Sequence, residues 1–191
     1  VSTPWMVELA LDAAVAAVVL LKNGAPPSGG PAPVLPLDAG ALSGRTVAVF
    51  GASANDTLAQ QGGYVNQRPH FIRTPLAGLT DALPLANVVY TPGCADVACL
   101  APVNASAAAA AAAAADVSIV VLGTTVYDIP GYACSPDNVA IEAEGWDRAN
   151  ASLPSGQLAL LQAVAAGAGA AGKPLVVVLI NAGMLDIGWA A

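Results

Sequence analysis

The eight residues Ile141-Glu142-Ala143-Glu144-Gly145-Trp146-Asp147-Arg148 concentrate the side chains of this sequence best suited to chemistry. Charged residues make up 10% of the chain, yet Glu142, Glu144, Asp147 and Arg148 all fall within this stretch. Two carboxylates, an Asp-Arg pair and an indole ring lie together between apolar segments. Such crowding can push carboxylate pKa values apart, so that one group holds a proton while its neighbour stays ionised, as general acid/base work requires. The same residue types equally suit a solvated loop closed by a local ion pair.

The flanking sequence predicts what would hold such a loop. Residues 45–51 form a short, apolar, β-branched run ending in glycine, and residues 87–90, 117–123 and 174–180 are similar runs. Each predicts a buried strand. Helices are predicted over 4–21 with Asn23-Gly24 as the stop, near 75–83, over the Ala-rich run 107–115, and over about 155–166. The Ala run has high helix propensity and no further signal, so it reads as a surface helix. Strands alternating with helices define an α/β class: a layered α/β/α sandwich with a mostly parallel sheet covered on both faces. Residues 25–40 are dense in Pro and Gly and read as an irregular linker. The chain therefore divides into an N-terminal helix and linker over 1–40 and an α/β domain over 41–191.

In a parallel sheet, ligand sites gather at the carboxyl ends of the strands. Gly51-Ala52-Ser53-Ala54-Asn55-Asp56 follows the first strand and Gly123-Thr124-Thr125 the third. The charged stretch lies in the long connection from Gly123 to about Pro154, and a loop of that length within a domain is functional or disordered. The turn at Gly51 lacks both the G-x-G-x-x-G pattern and a P-loop lysine, which weighs against nucleotide binding. His70, beside Pro69 and Phe71, has no nucleophile motif or ligand set around it. It fits a structural or ligand-contacting role rather than that of a catalytic base.

A net charge of −7 and a pI near 4.2 argue against nucleic acid or an anionic membrane as partner, and leave a neutral ligand such as a sugar compatible. The hydrophobic fraction of 56% is largely alanine and aromatics reach only 5%, so that fraction overstates the hydrophobic stabilisation available. No segment reaches the roughly 18 strongly apolar residues of a membrane span. The Cys94-x4-Cys99 spacing lacks the second pair and the histidines of a zinc site, so neither metal nor cofactor is expected. A Cys94–Cys99 disulfide within a loop fits the spacing, with Cys134 left free or paired elsewhere. Sequons at Asn55, Asn104 and Asn150, together with the Cys pair, predict a secretory route and a secreted or cell-wall location. The start of the sequence, without Met, basic n-region or cleavage site, suggests a mature product or a fragment.

Several segments, in order, resemble the C-terminal α/β domain of glycoside hydrolase family 3. Val19-Leu20-Leu21-Lys22-Asn23 and Leu35-Pro36-Leu37 are similar to the family's helix-to-strand passage. Thr46-Val47-Ala48-Val49-Phe50-Gly51, Gly62-Gly63-Tyr64, Thr74-Pro75-Leu76 and Gly78-Leu79 follow, then the cysteine-bearing segment 90–99 of the β-xylosidase-like branch. The stretch 141–148, Leu153-Pro154-Ser155-Gly156-Gln157 and Leu185-Asp186-Ile187 complete the series.

This resemblance implies a retaining glycosidase acting on β-xylosides, β-glucosides or related arabinosides, with the nucleophilic Asp on a separate (β/α)8 barrel missing from this chain. The family's E-G-x-D-R pattern falls on residues 144–148 and implies Glu144 as acid/base, with Glu142 as the alternative carboxylate. Trp146 could stack on a sugar ring or pack against the loop, while Asp147 and Arg148 would support the loop. The family's domain continues past the position of Ala191, so the resemblance also implies a fold truncated at its C-terminal end and a chain inactive by itself. A non-catalytic carbohydrate-binding or structural module built on the same scaffold is the other function compatible with these residues.

Overall fold

The computed structural model describes residues 3–24, 33–60, 72–125, 142, 148 and 150–190. The chain forms two compact units, Val1–Leu37 and Asp38–Ala191. In the first, helix α1 (Pro4–Ala17) opens on a proline, whose missing N–H is no loss in a first turn, and none of its residues is buried. The helix stops earlier than the Asn23-Gly24 signal predicts. Val18 is already extended, with φ −75° and ψ 126°, at the start of a β-branched pair that resists helical rotamers. Asn23 serves a different purpose. Its Nδ2 donates to the carbonyl of Leu35 at 2.7 Å, and its Oδ1 accepts from the Leu35 N–H at 3.0 Å.

The second unit is built on four strands: β1 (Thr46–Phe50), β2 (Asn87–Thr91), β3 (Val117–Gly123) and β4 (Leu175–Ile180). They lie in the order β2-β1-β3-β4, and every pairing is parallel. Helices α2 (Pro75–Ala82), α3 (Ala105–Ala114) and α4 (Ser155–Ala170) form the crossovers that parallel neighbours require. All of β3 is buried, while the outer strand β4 is only half-buried.

Side chains alternate between the two faces of the sheet. Ala48, Phe50, Val120 and Leu122 pack against Ala108 and Ala112 of α3 and against Leu160, Leu161 and Val164 of α4. Val47, Val49, Ile119 and Val121, on the opposite face, are buried as well. This is the α/β layering that the strand-helix alternation predicts.

The Ala-rich run departs from expectation. It is a helix, but Ala108 and Ala112 are buried rather than spread on the surface. Their small size lets α3 and α4 approach closely, and a Cβ on Gly167 would lie only 2.1 Å from the carbonyl oxygen of Ala109. What the run lacks in bulk it supplies as a flat packing face. Helix α4 also continues past residue 166, carrying Gly167 and Gly169 within it.

At the amino ends of the strands, Asp116 accepts the Thr46 N–H at 3.0 Å and pairs with Arg45 and Lys173 at 3.4 and 3.3 Å. The Thr46 hydrogen bond is the chief reason its carboxyl is held below the usual value. The carboxyl ends face the other way. The chain passes from β1 to β2 on one side and then crosses to β3 on the other, so the topological switch point lies between the carboxyl ends of β1 and β3.

Candidate functional site

At its carboxyl end β3 delivers Gly123, Thr124 and Thr125, with both threonines buried. Gly123 is held by one side chain from α4. Its N–H donates to Gln157 Oε1 at 2.9 Å, and Gln157 Nε2 donates to its carbonyl at 2.8 Å. The same Nε2 donates to the Val97 carbonyl at 2.5 Å. Gln157, only 2% exposed, thus uses both ends of its carboxamide to join the end of β3 to the 94–99 loop. That loop is closed by the Cys94–Cys99 disulfide, in agreement with the cysteine spacing, with Cα atoms 4.9 Å apart.

Glu142 lies directly across this strand end. Its backbone N–H donates to the carbonyl of Thr125 at 2.8 Å. Its Oε2 accepts from the Thr124 hydroxyl at 2.6 Å and from the N–H groups of Ala182 and Gly183, just past β4, at 2.8 and 2.7 Å. Its Oε1 accepts from Arg148 Nη1 at 2.5 Å. Both side chains of this ion pair are 10% exposed. A Cβ at Gly183 would stand 2.8 Å from Glu142 Oε1, so a side chain here would displace the carboxylate.

Arg148 reaches further. Its Nη2 donates to the carbonyls of Asn150 and Ser152, each at 3.0 Å. These bonds shape the approach to α4. Its buried Nε has no acceptor among the described residues.

The electrostatics of Glu142 follow from this geometry. Burial alone would raise its pKa, but the hydrogen bonds from Gly183, Thr124, Ala182 and Arg148 together outweigh that effect. The carboxyl is held below the ordinary glutamate value and stays ionised. At the end of β1, Tyr90 donates its hydroxyl to the Gly51 carbonyl at 3.3 Å, and its pKa is raised by burial and by Asp56.

Of the residues singled out from sequence, the structure brings Glu142 and Arg148 together at the ends of β3 and β4. Glu144, Trp146 and Asp147 lie outside the described residues, as do His70, Cys134 and Gly62-Gly63-Tyr64. The sequon asparagines are exposed. Asn104 caps α3 by accepting from the Ala107 N–H at 3.1 Å, Asn55 Oδ1 accepts from the Thr74 hydroxyl at 3.2 Å, and Asn150 Oδ1 accepts from the Ser152 N–H at 2.8 Å. Among the described residues no group of three or more His, Cys, Asp or Glu could hold a metal ion. No described helix is long and apolar enough to cross a membrane.

Sequence reasoning missed the partners of Glu142. Thr124 was visible only as part of a strand-end turn, and the N–H groups of Ala182 and Gly183 have no side-chain signature at all. Gln157 stood within a matching motif, but nothing in the motif marks it as the residue that grips Gly123.

The fold and this strand-end cluster define an α/β layered domain with the Glu142–Arg148 pair at the carboxyl ends of β3 and β4, where parallel sheets place ligands. Residues 18–191 match the model of the glycosyl hydrolase family 3 C-terminal domain, and the chain belongs to that family. It is 37% identical over 190 residues to Beta-xylosidase/alpha-L-arabinofuranosidase 1 of Medicago sativa subsp. varia, covering 100% of this chain and 21% of the relative. It is 31% identical over 178 residues to Exo-1,4-beta-xylosidase xlnD of Aspergillus oryzae, covering 93% of this chain and 19% of the relative. The chain thus spans about a fifth of the length of such relatives.

Among solved structures, a GH3 exo-beta-xylosidase (XlnD) in complex with a xylobiose aziridine probe superposes with a TM-score of 0.69 at 32% identity, over 94% of this chain and 19% of that one. The beta-glucosidase D2-BGL of Chaetomella raphigera shares the fold, with a TM-score of 0.52 at 22% identity over 80% of this chain and 20% of its own.

Proposed function

We propose that this domain supplies the general acid/base of a retaining glycosidase that cleaves β-xylosides, or the closely related β-glucosides, with Glu144 as the catalytic residue. The nucleophilic carboxylate would come from a (β/α)8 barrel outside this chain. The observation that carries the assignment is the state of Glu142. A general acid must hold its proton when substrate arrives, and a carboxylate with donors on both oxygens and a depressed pKa does not. That argues against Glu142 and leaves Glu144, the carboxylate at the head of the E-G-x-D-R pattern. The names of the relatives support xylosides as the substrate class.

In this account the barrel carboxylate attacks the anomeric carbon while Glu144 passes its proton to the glycosidic oxygen, and the alcohol departs. Glu144, now a carboxylate, then takes a proton from the water that attacks the glycosyl-enzyme. Retention places the two carboxyl groups about 5–5.5 Å apart. Trp146 offers an indole face to the apolar side of a pyranose, and Asp147 supports the loop. On this reading the nucleophile lies outside these residues, and the chain by itself should not hydrolyse glycosides. The cysteine bridge and the sequons at Asn55, Asn104 and Asn150 support a secreted glycoprotein.

Leaving-group dependence tests the assignment. In the enzyme carrying both domains, Glu144→Gln should slow xylosides with alkyl leaving groups by about 10²–10⁴-fold. Activated aryl xylosides, which leave without protonation, should be slowed far less in their first step. Equal losses on both substrates would count against Glu144 as the proton donor.

A further inference from the structure

We propose that helix α1 is a docking element, whose apolar surface seats against a further domain of the same polypeptide outside these 191 residues. The proposal rests on the reading that the whole protein carries such a domain. The helix itself supplies the first argument. Of its 14 residues only Glu8 and Asp12 are charged, and none is buried. Trp5, Leu9, Leu11 and Val15 are 63%, 56%, 63% and 66% exposed. A helix that is apolar around most of its circumference is ordinarily buried. Nor does α1 have local support: Thr3 makes no side-chain cap bond, no acidic residue stands in the first turn and no basic residue in the last. A helix this short is marginal in water unless tertiary contacts hold it.

The helical repeat sorts the side chains of α1 into rows. Glu8 and Asp12, one turn apart, form a single polar strip. Trp5 and Leu9 run along one side of that strip, and Val7, Leu11 and Val15 along the other. Opposite the strip lie Ala10, Ala14 and Ala17, small enough to let a partner approach the backbone while the bulky rows straddle it. Helix α3 meets α4 in that manner, through Ala108 and Ala112. The Glu8–Asp12 strip is then the side left to water.

The lengths of the matches identify the occupant. The match to the family's C-terminal domain begins at residue 18, directly after α1 ends. The similarity to the Medicago sativa relative covers 100% of this chain, α1 included, and 21% of that protein. The helix is therefore shared with the much longer relative yet lies outside the C-terminal domain proper, where a segment belonging to a contact between domains would fall. A membrane surface fits less well, because an interfacial helix carries Lys or Arg on its polar face and both polar residues here are acidic. Exposed apolar surface of this extent then marks a protein contact.

The test uses the full-length enzyme and has two arms, neither of which reads catalysis. In the first, a photo-reactive benzoylphenylalanine replaces Leu11, and its cross-links are mapped by mass spectrometry. Cross-links within one polypeptide, to residues outside this chain, are expected. A product of doubled mass, which marks a second copy as the occupant, overturns the proposal, and so do cross-links confined to residues 38–191.

In the second arm, the α1 amides should exchange on the order of 100-fold more slowly than those of an unstructured peptide. Ala14→Leu keeps the helix propensity but overpacks the close face, and should speed that exchange about tenfold. Glu8→Gln, on the wet strip, should leave it unchanged. Exchange of wild-type α1 at peptide rates overturns the docking, as does an Ala14→Leu variant that exchanges like wild type. If Glu144→Gln shows the leaving-group signature while α1 exchanges freely, the docking fails and the functional reading stands. If α1 is docked and Glu144→Gln shows no signature, the acid/base assignment fails and the docking stands.

Discussion

Gln157 and Gly123 are joined by two hydrogen bonds, one in each direction, so that a single buried carboxamide takes up the Gly123 backbone groups that face away from its β4 partner Ile180, beyond the point where the pairing with β1 ends. The third bond, to Val97, brings the disulfide loop into the same arrangement. Leucine at position 157 would match the volume but leave the Gly123 N–H and two carbonyls without partners. Each buried unsatisfied group costs about 1–3 kcal/mol, so Gln157→Leu should lose on the order of 3 kcal/mol in a urea titration. A loss below the error of the titration would show that water replaces the carboxamide.

The ion pair at the loop ends makes an ordered prediction. Arg148→Met leaves Glu142 with three other donors, whereas Glu142→Leu strands a buried guanidinium, two N–H groups and a hydroxyl. Breaking a buried pair costs about 3–5 kcal/mol, and Glu142→Leu should lie at or above the upper end with Arg148→Met near the lower. Thermal melts of the two variants check the order, and the reverse order would contradict the hydrogen-bond assignment.

Acid should weaken the domain partly through Glu142. Its folded pKa lies below its unfolded value of about 4.3, so the stability it contributes is present in full above that pH and is lost as pH falls through the folded value. Glu142→Gln removes that contribution. The stability gap between wild type and Glu142→Gln, measured by urea unfolding, should therefore be constant from pH 7 to about 5 and should narrow below about pH 4. A gap that stays constant or widens in acid would mean that the carboxylate is not the stabilised form.

The sheet was legible because each strand announces itself as a short run rich in β-branched residues, and β1 and β3, buried almost throughout, carry only Thr46 and Ser118 as polar members. Helix ends were less legible. Asn23-Gly24 looks like a stop, yet the β-branched pair at Val18-Val19 ends α1 sooner, and Asn23 turns to Leu35. The Ala run was misjudged for a physical reason: hydrophobicity scales count buried area, while Ala108 and Ala112 matter through the close approach they allow, against Gly167. At the site, the charged stretch was visible as chemistry because charge is rare in this chain. That Glu142 is a hydrogen-bonded, ionised carboxylate was not visible, since this depends on the backbone N–H groups of Ala182 and Gly183, far along the chain.

The central claim is that Glu144 is the acid/base, and rescue by a small anion tests it most directly. In the two-domain enzyme, Glu144→Ala acting on an activated aryl xyloside should accumulate glycosyl-enzyme, because no base remains to activate water. Azide, which needs no base, should then restore turnover and yield β-xylosyl azide with retained configuration. Glu142→Ala should show no such rescue. Azide rescue of Glu142→Ala, with none for Glu144→Ala, would contradict the account.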